Sequence, residues 1–377
     1  MDSINRSTDL LSGDSDLEHL YTFEKFPVFM GCVEHDATQD LLVDSIWEIG
    51  RETGIVQLKK LIPLHILYEH SHGSGDVGKV WQEHHSAFAK FIARYEPKSV
   101  LEIGGGHGRL AKIYEEHSDI PWSILEPNPT PVADSKAVWI KGFFDDDFIP
   151  QAEINCVVHS HVLEHIYDPV SFMTRLRAVM TDGDMLIFTV PNMIAMLERH
   201  YTNCLNFEHT YFATESIIDY LLQKSGFEIK AKESFMDDHS IFYAAEKKQM
   251  AGVQVKLTSE YEKNKSLFLN FVNSQHDIVR EYNKLLSETD GPFYLFGGHV
   301  FSQFLLNIGL DHTKIECILD NDPEKQGKRL YGTDLLVKSP KIISSVASPN
   351  VFLRAGAYNS EIKRDILDNI NPKTVFV

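Results

Sequence analysis

Cysteine is scarce in this sequence, with four residues among 377, at Cys32, Cys156, Cys204 and Cys317. They lie far apart along the chain, and no two of them form a CxxC pair. This spacing excludes a zinc finger built from cysteines alone and does not favour a disulfide framework. Unpaired cysteines are typical of a reducing compartment, so we expect a cytoplasmic protein.

The chain also lacks an excess of positive charge and a long apolar run. Its 36 basic and 54 acidic residues give a formal net charge of −18, which would repel nucleic-acid backbones and anionic lipid surfaces. The one sizeable uncharged stretch, residues 294–310, is interrupted by glycines and polar side chains, and the first apolar patch, residues 27–33, is too short for a signal peptide. We therefore expect no nucleic-acid or membrane partner, and a monomer or homodimer that acts on a small molecule.

Hydrophobic residues make up 43 % of the sequence, and its length is enough for two or three domains with sizeable cores. Apolar residues at helical spacing predict a helix over residues 41–53, and a glycine-rich loop at 71–78 marks a boundary. Short β-rich runs then alternate with helical ones, which predicts an α/β fold with a doubly wound, Rossmann-like parallel sheet. The predicted units are a small N-terminal module (1–78), the doubly wound domain (79–250), a connecting helix (251–290) and a C-terminal Rossmann-like domain (291–377).

The strongest local signal is the segment EIGGGHG, residues 102–108, which follows a predicted strand and opens a predicted helix. Glycines there let the backbone approach a ligand closely, next to a helix N-terminus. Such a turn suits a nicotinamide, a flavin or S-adenosylmethionine. Arg109 stands where the dinucleotide fingerprint needs a third small residue, and the carboxylate of Glu102 suits an ammonium better than a pyrophosphate. Glu126, which ends the next strand, could accept hydrogen bonds from ribose hydroxyls in either case.

Four segments follow in order along this domain: VLEIGGGHG from Val100, ILEPN from Ile124, HSHVLEHIYDP from His159 and FTVPN from Phe188. Together they resemble the class I S-adenosylmethionine-dependent methyltransferases. The resemblance implies a cofactor whose methionine end lies on the glycine turn, whose ribose is held by Glu126 and whose sulfonium lies beside His161. The implied cofactor-binding residues are Tyr68, Glu102, Gly104, Gly105, Gly106, Gly108, Glu126, Pro127, Phe143, Ser160 and His161.

Three further segments resemble the deoxysugar C-methyltransferases, which act on nucleotide-linked keto-sugars: residues 66–84, NFEHTYF at 206–212 and LDNDPEKQGK at 319–328. The chain departs from that family, because it lacks the four cysteines of the N-terminal zinc module and has Asn206 where the active segment carries tyrosine. Residues 21–60 should then be held by a core of their own. The changed segment favours O-methylation over C-methylation of a keto-deoxysugar, with transfer to a phosphoramidate oxygen also open. Capsule, other surface glycan or natural-product biosynthesis would be the setting.

Methyl transfer needs an acceptor that loses a proton, and histidine is the side chain best suited to take it near neutral pH. His165 and His209 follow strands of the predicted sheet and match histidine positions of the family, so both are candidate general bases. Glu208 could orient His209 or accept a sugar hydroxyl, and Tyr68 matches a family tyrosine near the cofactor.

The 18 histidines raise the question of a metal. Asp237, Asp238 and His239 could meet Glu208 and His209 across a pocket, but no spacing resembles HExxH, and we predict no metal. The acidic run at residues 145–147 is expected to be a solvated loop.

Two features concern the C-terminal domain and a charged acceptor. Gly297 and Gly298 follow a predicted strand, so this domain could bind a nucleotide itself or close the acceptor site. Three basic residues there could meet an anionic nucleotide- or phosphate-bearing substrate: Lys325, Lys328 and Arg329. Two other classes stay open, a nicotinamide-dependent oxidoreductase or epimerase and a cofactor-binding partner without catalysis.

Overall fold

The structure is a computed structural model that describes residues 4–68, 78–249 and 255–377. The predicted loop at 71–78 lies outside the described residues except for Gly78, as does the beginning of the predicted connecting helix. The N-terminal module contains short strands and one helical turn: β1 (Ile4–Asn5), β2 (Leu17–Pro27), β3 (Cys32–Val33), β4 (Leu42–Gly50), β5 (Val56–Leu58), β6 (Lys60–Leu61) and α1 (Leu64–Leu67).

The helix predicted over residues 41–53 is wrong, because this segment forms strand β4 in an antiparallel sheet of order β2-β4-β5. The second half of β4 is buried on both faces, and Trp47 there is fully buried. A strand covered on both sides carries apolar residues without strict alternation, so its periodicity does not distinguish it from a helix.

Residues 21–60 were expected to have a core of their own. In the structure the N-terminal module instead shares its core with distant parts of the chain. The ring of Phe23 lies 5.1 Å from that of Phe304, and Trp47 lies 6.0 Å from Phe268. Strand β3 also pairs with residues 329–330 near the C-terminus. These aromatic contacts and this pairing attach the module to the rest of the fold.

The central domain confirms the predicted alternation of strands and helices. Its elements are α2 (Lys79–Ala93), β7 (Val100–Ile103), α3 (Arg109–Tyr114), β8 (Trp122–Glu126), β9 (Val138–Lys141), β10 (Cys156–Ser160), α4 (Pro169–Val179), β11 (Met185–Pro191), α5 (Met193–Glu198), α6 (Glu215–Lys224), β12 (Phe227–Phe235) and β13 (Ser240–Lys247). In the described part of the chain the sheet has the order β12-β13-β11-β10-β7-β8-β9 and is mixed rather than fully parallel, because β13 runs antiparallel to both of its neighbours.

The order of the strands reverses between β7 and β10, since the chain builds outward to β9 on one side and returns to start β10 on the other. In open α/β sheets, ligands bind beyond the carboxyl ends of the strands at such a switch point. The loops after β7, β8 and β10 therefore frame the position where a site is expected.

A long helix, α7 (Tyr261–Glu288), connects the central domain to the C-terminal elements. These elements are β14 (Phe293–Phe296), α8 (Val300–Asn307), β15 (Ile315–Leu319), β16 (Arg329–Leu330), β17 (Val337–Lys338), β18 (Asn350–Leu353), α9 (Asn359–Asn369) and β19 (Val375–Phe376). Their sheet has the order β17-β15-β14-β18-β19, and its four neighbouring pairs are parallel. Among the described helices, none is both long and apolar enough to cross a bilayer.

Candidate active site

A cavity of about 790 Å³ lies at the carboxyl ends of β7, β8 and β10. Residues of the central domain form most of its wall, together with Tyr68 at the end of α1 and a group of residues that follow strands of the C-terminal sheet and include His299, Phe301 and Tyr358. Every predicted cofactor-binding residue except Gly108 lines this cavity. The predicted catalytic residues Tyr68, His165, Glu208 and His209 line it as well.

The glycine turn between β7 and α3 leaves room for a ligand at one position and permits tight packing at another. Gly106 has φ +53°, and a Cβ atom built there meets no heavy atom within 4 Å, so its backbone faces open space. Gly108 has φ +75°, and a Cβ atom there would come within 2.8 Å of the Trp139 ring. Gly108 therefore begins the helix and packs against the sheet, whereas Gly106 presents bare backbone to the cavity.

Glu126 ends β8 and lies beside this turn. Its carboxylate accepts hydrogen bonds from the backbone N–H groups of Gly106 and Asn128, both at 3.0 Å. Pro127 and Phe143 line the same side of the cavity, and Phe143 is exposed. A carboxylate oriented by two N–H groups at the end of the second strand fits the ribose-binding role implied by the resemblance.

Glu102 lies beneath the turn and is almost fully buried. Its Oε2 accepts a 2.8 Å hydrogen bond from the indole Nε1–H of Trp122. Burial raises the pKa of Glu102 to about 7, despite the opposing effect of the indole hydrogen bond. The carboxyl group therefore lines the cavity and is also fixed by a hydrogen bond from the neighbouring strand β8.

The structure brings together the four side chains that the sequence proposed for catalysis. The Tyr68 hydroxyl lies 3.1 Å from Nδ1 of His165, and Oε2 of Glu208 lies 3.5 Å from the same nitrogen. The rings of His165 and His209 are 5.2 Å apart and perpendicular. Asn206, at the position of the missing tyrosine, accepts hydrogen bonds from the backbone N–H groups of Glu208 and His209 at 2.8 and 2.9 Å. Asn206 thus shapes the loop that carries both residues.

Sequence reasoning missed Glu164, which lies between these groups. It is fully buried, and its Oε1 lies 3.5 Å from Nδ1 of His161 and 3.7 Å from Nε2 of His165. Burial raises the pKa of Glu164, and the neighbouring histidines oppose this effect. The sequence did contain a signal for Glu164, because it directly precedes His165 in the segment that also supplies His161.

Other histidines form a second group, which packs around Trp81. The rings of His161 and His239 lie 5.0 and 4.9 Å from the indole, and both histidines are within hydrogen-bond distance of the Ser240 hydroxyl, at 2.9 and 2.6 Å. Burial lowers the pKa of His161 and of His239 to about 3, so both rings are neutral at physiological pH. His84 belongs to the same group, with its ring 5.4 Å from each of the other two imidazoles.

The sequence suggested that Asp237 and Asp238 could join His239, Glu208 and His209 as metal ligands. The structure does not assemble this set. Asp238 pairs with Arg199 at 2.5 Å and accepts a hydrogen bond from Tyr201 at 2.9 Å. The structure instead groups Glu164 with His165 and His209, and His239 with His84 and His161. The acidic run at 145–147 is exposed, as predicted.

Two of the three basic residues proposed to meet an anionic acceptor pair with acidic side chains. Arg329 forms a bidentate ion pair with Asp40 of the N-terminal module, at 2.6 and 2.7 Å, and Lys325 lies 3.4 Å from Asp320. None of the three lines the cavity, and their contact with an acceptor stays a prediction. The arginines that line the cavity are Arg109 and Arg175.

Comparison with known proteins shows a family match to part of the chain. Residues 79–232 match a family model described as a methyltransferase domain. A curated protein of Mycolicibacterium smegmatis, named "Probable S-adenosylmethionine-dependent methyltransferase", is 25 % identical over 157 residues, or 40 % of this chain. The chain covers 60 % of the length of that relative.

Solved structures of methyltransferases resemble part of the chain at low identity. An S-adenosylmethionine-dependent methyltransferase from Mesorhizobium loti has 14 % identity and a TM-score of 0.36, over 42 % of this chain and 98 % of that one. Human N-acetylserotonin methyltransferase, solved in complex with S-adenosylmethionine, has 15 % identity and a TM-score of 0.39, over 45 % of this chain and 53 % of that one.

Proposed function

We propose that this chain, which contains an S-adenosylmethionine-dependent methyltransferase domain over residues 79–232, methylates a small molecule held in the cavity at the edge of its central sheet. The observation that carries the proposal is the juxtaposition of the glycine turn and Glu126 with the cluster of Tyr68, His165, Glu208 and His209 around one cavity. One side has the features of a cofactor site, and the other has groups that can activate an acceptor.

The residues of the turn fit the cofactor. Gly106 leaves open space where a side chain would block it, and Glu126 presents a carboxylate already oriented for ribose hydroxyls. We propose that Phe143 covers the adenine and that Ser160 and His161 lie beside the sulfonium, since all three line the same cavity. When bound, S-adenosylmethionine supplies an electrophilic methyl group, and the protein contributes by holding the acceptor in line with it.

The acceptor must lose a proton, and we assign this activation to the cluster around His165 and His209. The Nδ1–H of His209 donates a hydrogen bond to the Cys204 carbonyl at 3.1 Å, which leaves Nε2 with its lone pair. Burial lowers the pKa of His209, so the ring is neutral at physiological pH. A neutral imidazole nitrogen at the cavity wall is suited to stabilising the loss of the acceptor proton.

The acceptor that we propose is a nucleotide-activated sugar or a related phosphorylated small molecule, from surface-glycan or natural-product biosynthesis. Arg109 on the cavity wall supports an anionic acceptor, because a guanidinium group matches phosphate oxygens in charge and geometry. Arg175 also lines the wall, and it pairs there with the exposed Asp146 at 2.5 Å. Two aromatic side chains near the C-terminal sheet, Phe301 in α8 and Tyr358 before α9, offer surfaces for a ring. We favour transfer to oxygen over transfer to carbon.

A two-part experiment tests the proposal. Calorimetry with S-adenosylhomocysteine and with NAD(H) should show binding of the first compound, and binding of NAD(H) alone would contradict the methyltransferase assignment. The protein is then incubated with S-adenosylmethionine and a panel of nucleotide-linked sugars. Mass spectrometry detects a methylated product, and NMR of its new methyl group distinguishes an O-methyl from a C-methyl product.

Variants connect the cluster to turnover. We expect His209→Ala to lower the rate by about a hundredfold or more with unchanged affinity for S-adenosylhomocysteine. His117→Ala, on an exposed histidine outside the cavity, is the matched control and should retain the parent rate. Equal rates for the two variants would remove His209 from the chemistry.

A further inference from the structure

The carboxylate of Glu164 lies in an environment that does not satisfy its hydrogen-bonding capacity. It is fully buried, and neither of its oxygens accepts a hydrogen bond from any residue that the structure describes. Nitrogens of His161 and His165 lie 3.5 and 3.7 Å from Oε1, beyond normal hydrogen-bond length. A buried carboxylate without partners is costly, and a cation among these groups would supply the missing partner.

Glu164, His165 and His209 form a compact set of donors. Each offers one ligand atom, and these three atoms all lie within 4.8 Å of one another. Nitrogen or oxygen ligands about 2.1 Å from a cation stand about 3 to 4 Å apart, so small side-chain rotations would close the set. Two imidazoles and one carboxylate with open positions are the donors of a facial triad, which suits borderline divalent cations such as Mn²⁺, Fe²⁺, Co²⁺ and Zn²⁺.

The two imidazoles are oriented by outer partners in the manner of metal ligands. The Nδ1–H of His209 donates to the Cys204 carbonyl at 3.1 Å. Nδ1 of His165 faces the Tyr68 hydroxyl at 3.1 Å and the Glu208 carboxylate at 3.5 Å. Ligating histidines usually donate their second N–H to a carbonyl or a carboxylate, which leaves the other nitrogen for the metal.

We propose that Glu164, His165 and His209 bind one divalent cation of this borderline class, with open coordination positions facing the cavity. The role of this cation in the reaction rests on the proposed function, whereas the binding of the cation does not. An acceptor hydroxyl coordinated there would become more acidic. With the His209 lone pair on the cation, the O–H bond would break with its proton passing to the Glu208 carboxylate. The electron pair left on the oxygen would form the new O–CH3 bond as the S–CH3 bond breaks, and S-adenosylhomocysteine would leave with the electrons of that bond.

The histidine group around Trp81 is the competing location for a metal. His84, His161 and His239 also offer three clustered nitrogens. Hydroxyl groups already engage one ring nitrogen of each: Ser240 lies 2.9 and 2.6 Å from His161 and His239, and Thr189 lies 3.3 Å from Nε2 of His84, whose Nδ1 has no partner among the described residues. This group contains no unsatisfied carboxylate, and Glu164 therefore favours the first set.

The test uses the full chain, stripped with a chelator and titrated with Co²⁺ alone, in the absence of cofactor and acceptor. Visible d–d absorption reports coordination, and calorimetry with Zn²⁺ gives the stoichiometry. We expect one equivalent to bind. Glu164→Gln and His209→Gln should each weaken binding by about a hundredfold or more, Glu208→Gln by about tenfold through its contact with His165, and His239→Gln should bind as the parent does.

Retained binding of S-adenosylhomocysteine shows in each variant that the domain is folded. The proposal is overturned if the parent binds no Co²⁺, if Glu164→Gln binds it as well as the parent, or if His239→Gln alone abolishes binding. Methyl transfer at the full rate by the stripped protein would overturn the cation's role while leaving the methyltransferase assignment intact.

Discussion

Replacing Glu102 with glutamine should remove a pH dependence that this buried carboxyl group imposes on the stability of the central domain. Burial raises the pKa of Glu102 to about 7 from its usual 4.5. The folded protein therefore holds this proton more tightly than the unfolded chain, and stability falls as the pH rises from about 4.5 to about 7 and levels off above that. Glutamine can still accept the hydrogen bond from Trp122 but cannot ionise.

The expected magnitude follows from the interval between the two pKa values. At about 1.4 kcal/mol per pH unit, the difference between 4.5 and about 7 corresponds to about 3 kcal/mol in the free energy of unfolding. Between about pH 4.5 and about pH 8, the free energy of unfolding of the parent should fall by this amount, and that of Glu102→Gln should not show this decrease. This is a large fraction of the stability of a typical domain.

Urea unfolding of the ligand-free chain at several pH values measures the effect, with tryptophan fluorescence as the signal. Trp122 reports directly, because its indole donates to Glu102. The exposed Glu116 provides the matched control, and Glu116→Gln should follow the parent at every pH. Parallel pH profiles for the parent and Glu102→Gln would refute the argument that Glu102 is desolvated in the folded state.

Further substitutions test the glycine turn, the contact between the N-terminal module and the C-terminal domain, and the proposed cofactor site. Gly108→Ala places a methyl group 2.8 Å from a tryptophan ring at φ +75°, and thermal unfolding should show a loss of about 1–3 kcal/mol. Arg329→Met removes the guanidinium partner of the buried Asp40 carboxylate, which keeps only the Gly332 N–H and the nearby His35, and should cost about 3–5 kcal/mol in urea unfolding. The same change at Arg280, in an exposed ion pair, should cost less than about 1 kcal/mol. S-adenosylhomocysteine at about 100 times its Kd should stabilise the parent by about 2.7 kcal/mol, and much of this gain should be absent in Glu126→Ala.

Local patterns were sufficient to locate the glycine turn and Glu126 at the cavity. Both follow from residues that are close in sequence, since a βα unit forms its own crevice. The predicted strands and helices of the central domain are confirmed, apart from the antiparallel direction of β13. The N-terminal module was less predictable, because β4 is a strand buried on both faces by neighbours that the sequence does not reveal.

The sequence by itself determined the α/β class of the central domain, its glycine turn and the candidates His165 and His209. Tertiary structure alone decided which groups meet. It placed Glu164 without a hydrogen-bonding partner among three imidazoles, and it paired Arg329 with Asp40, neither of which lines the cavity. The physical reason is that periodicity and glycine spacing record local backbone geometry, whereas contacts between distant segments depend on how the whole chain packs.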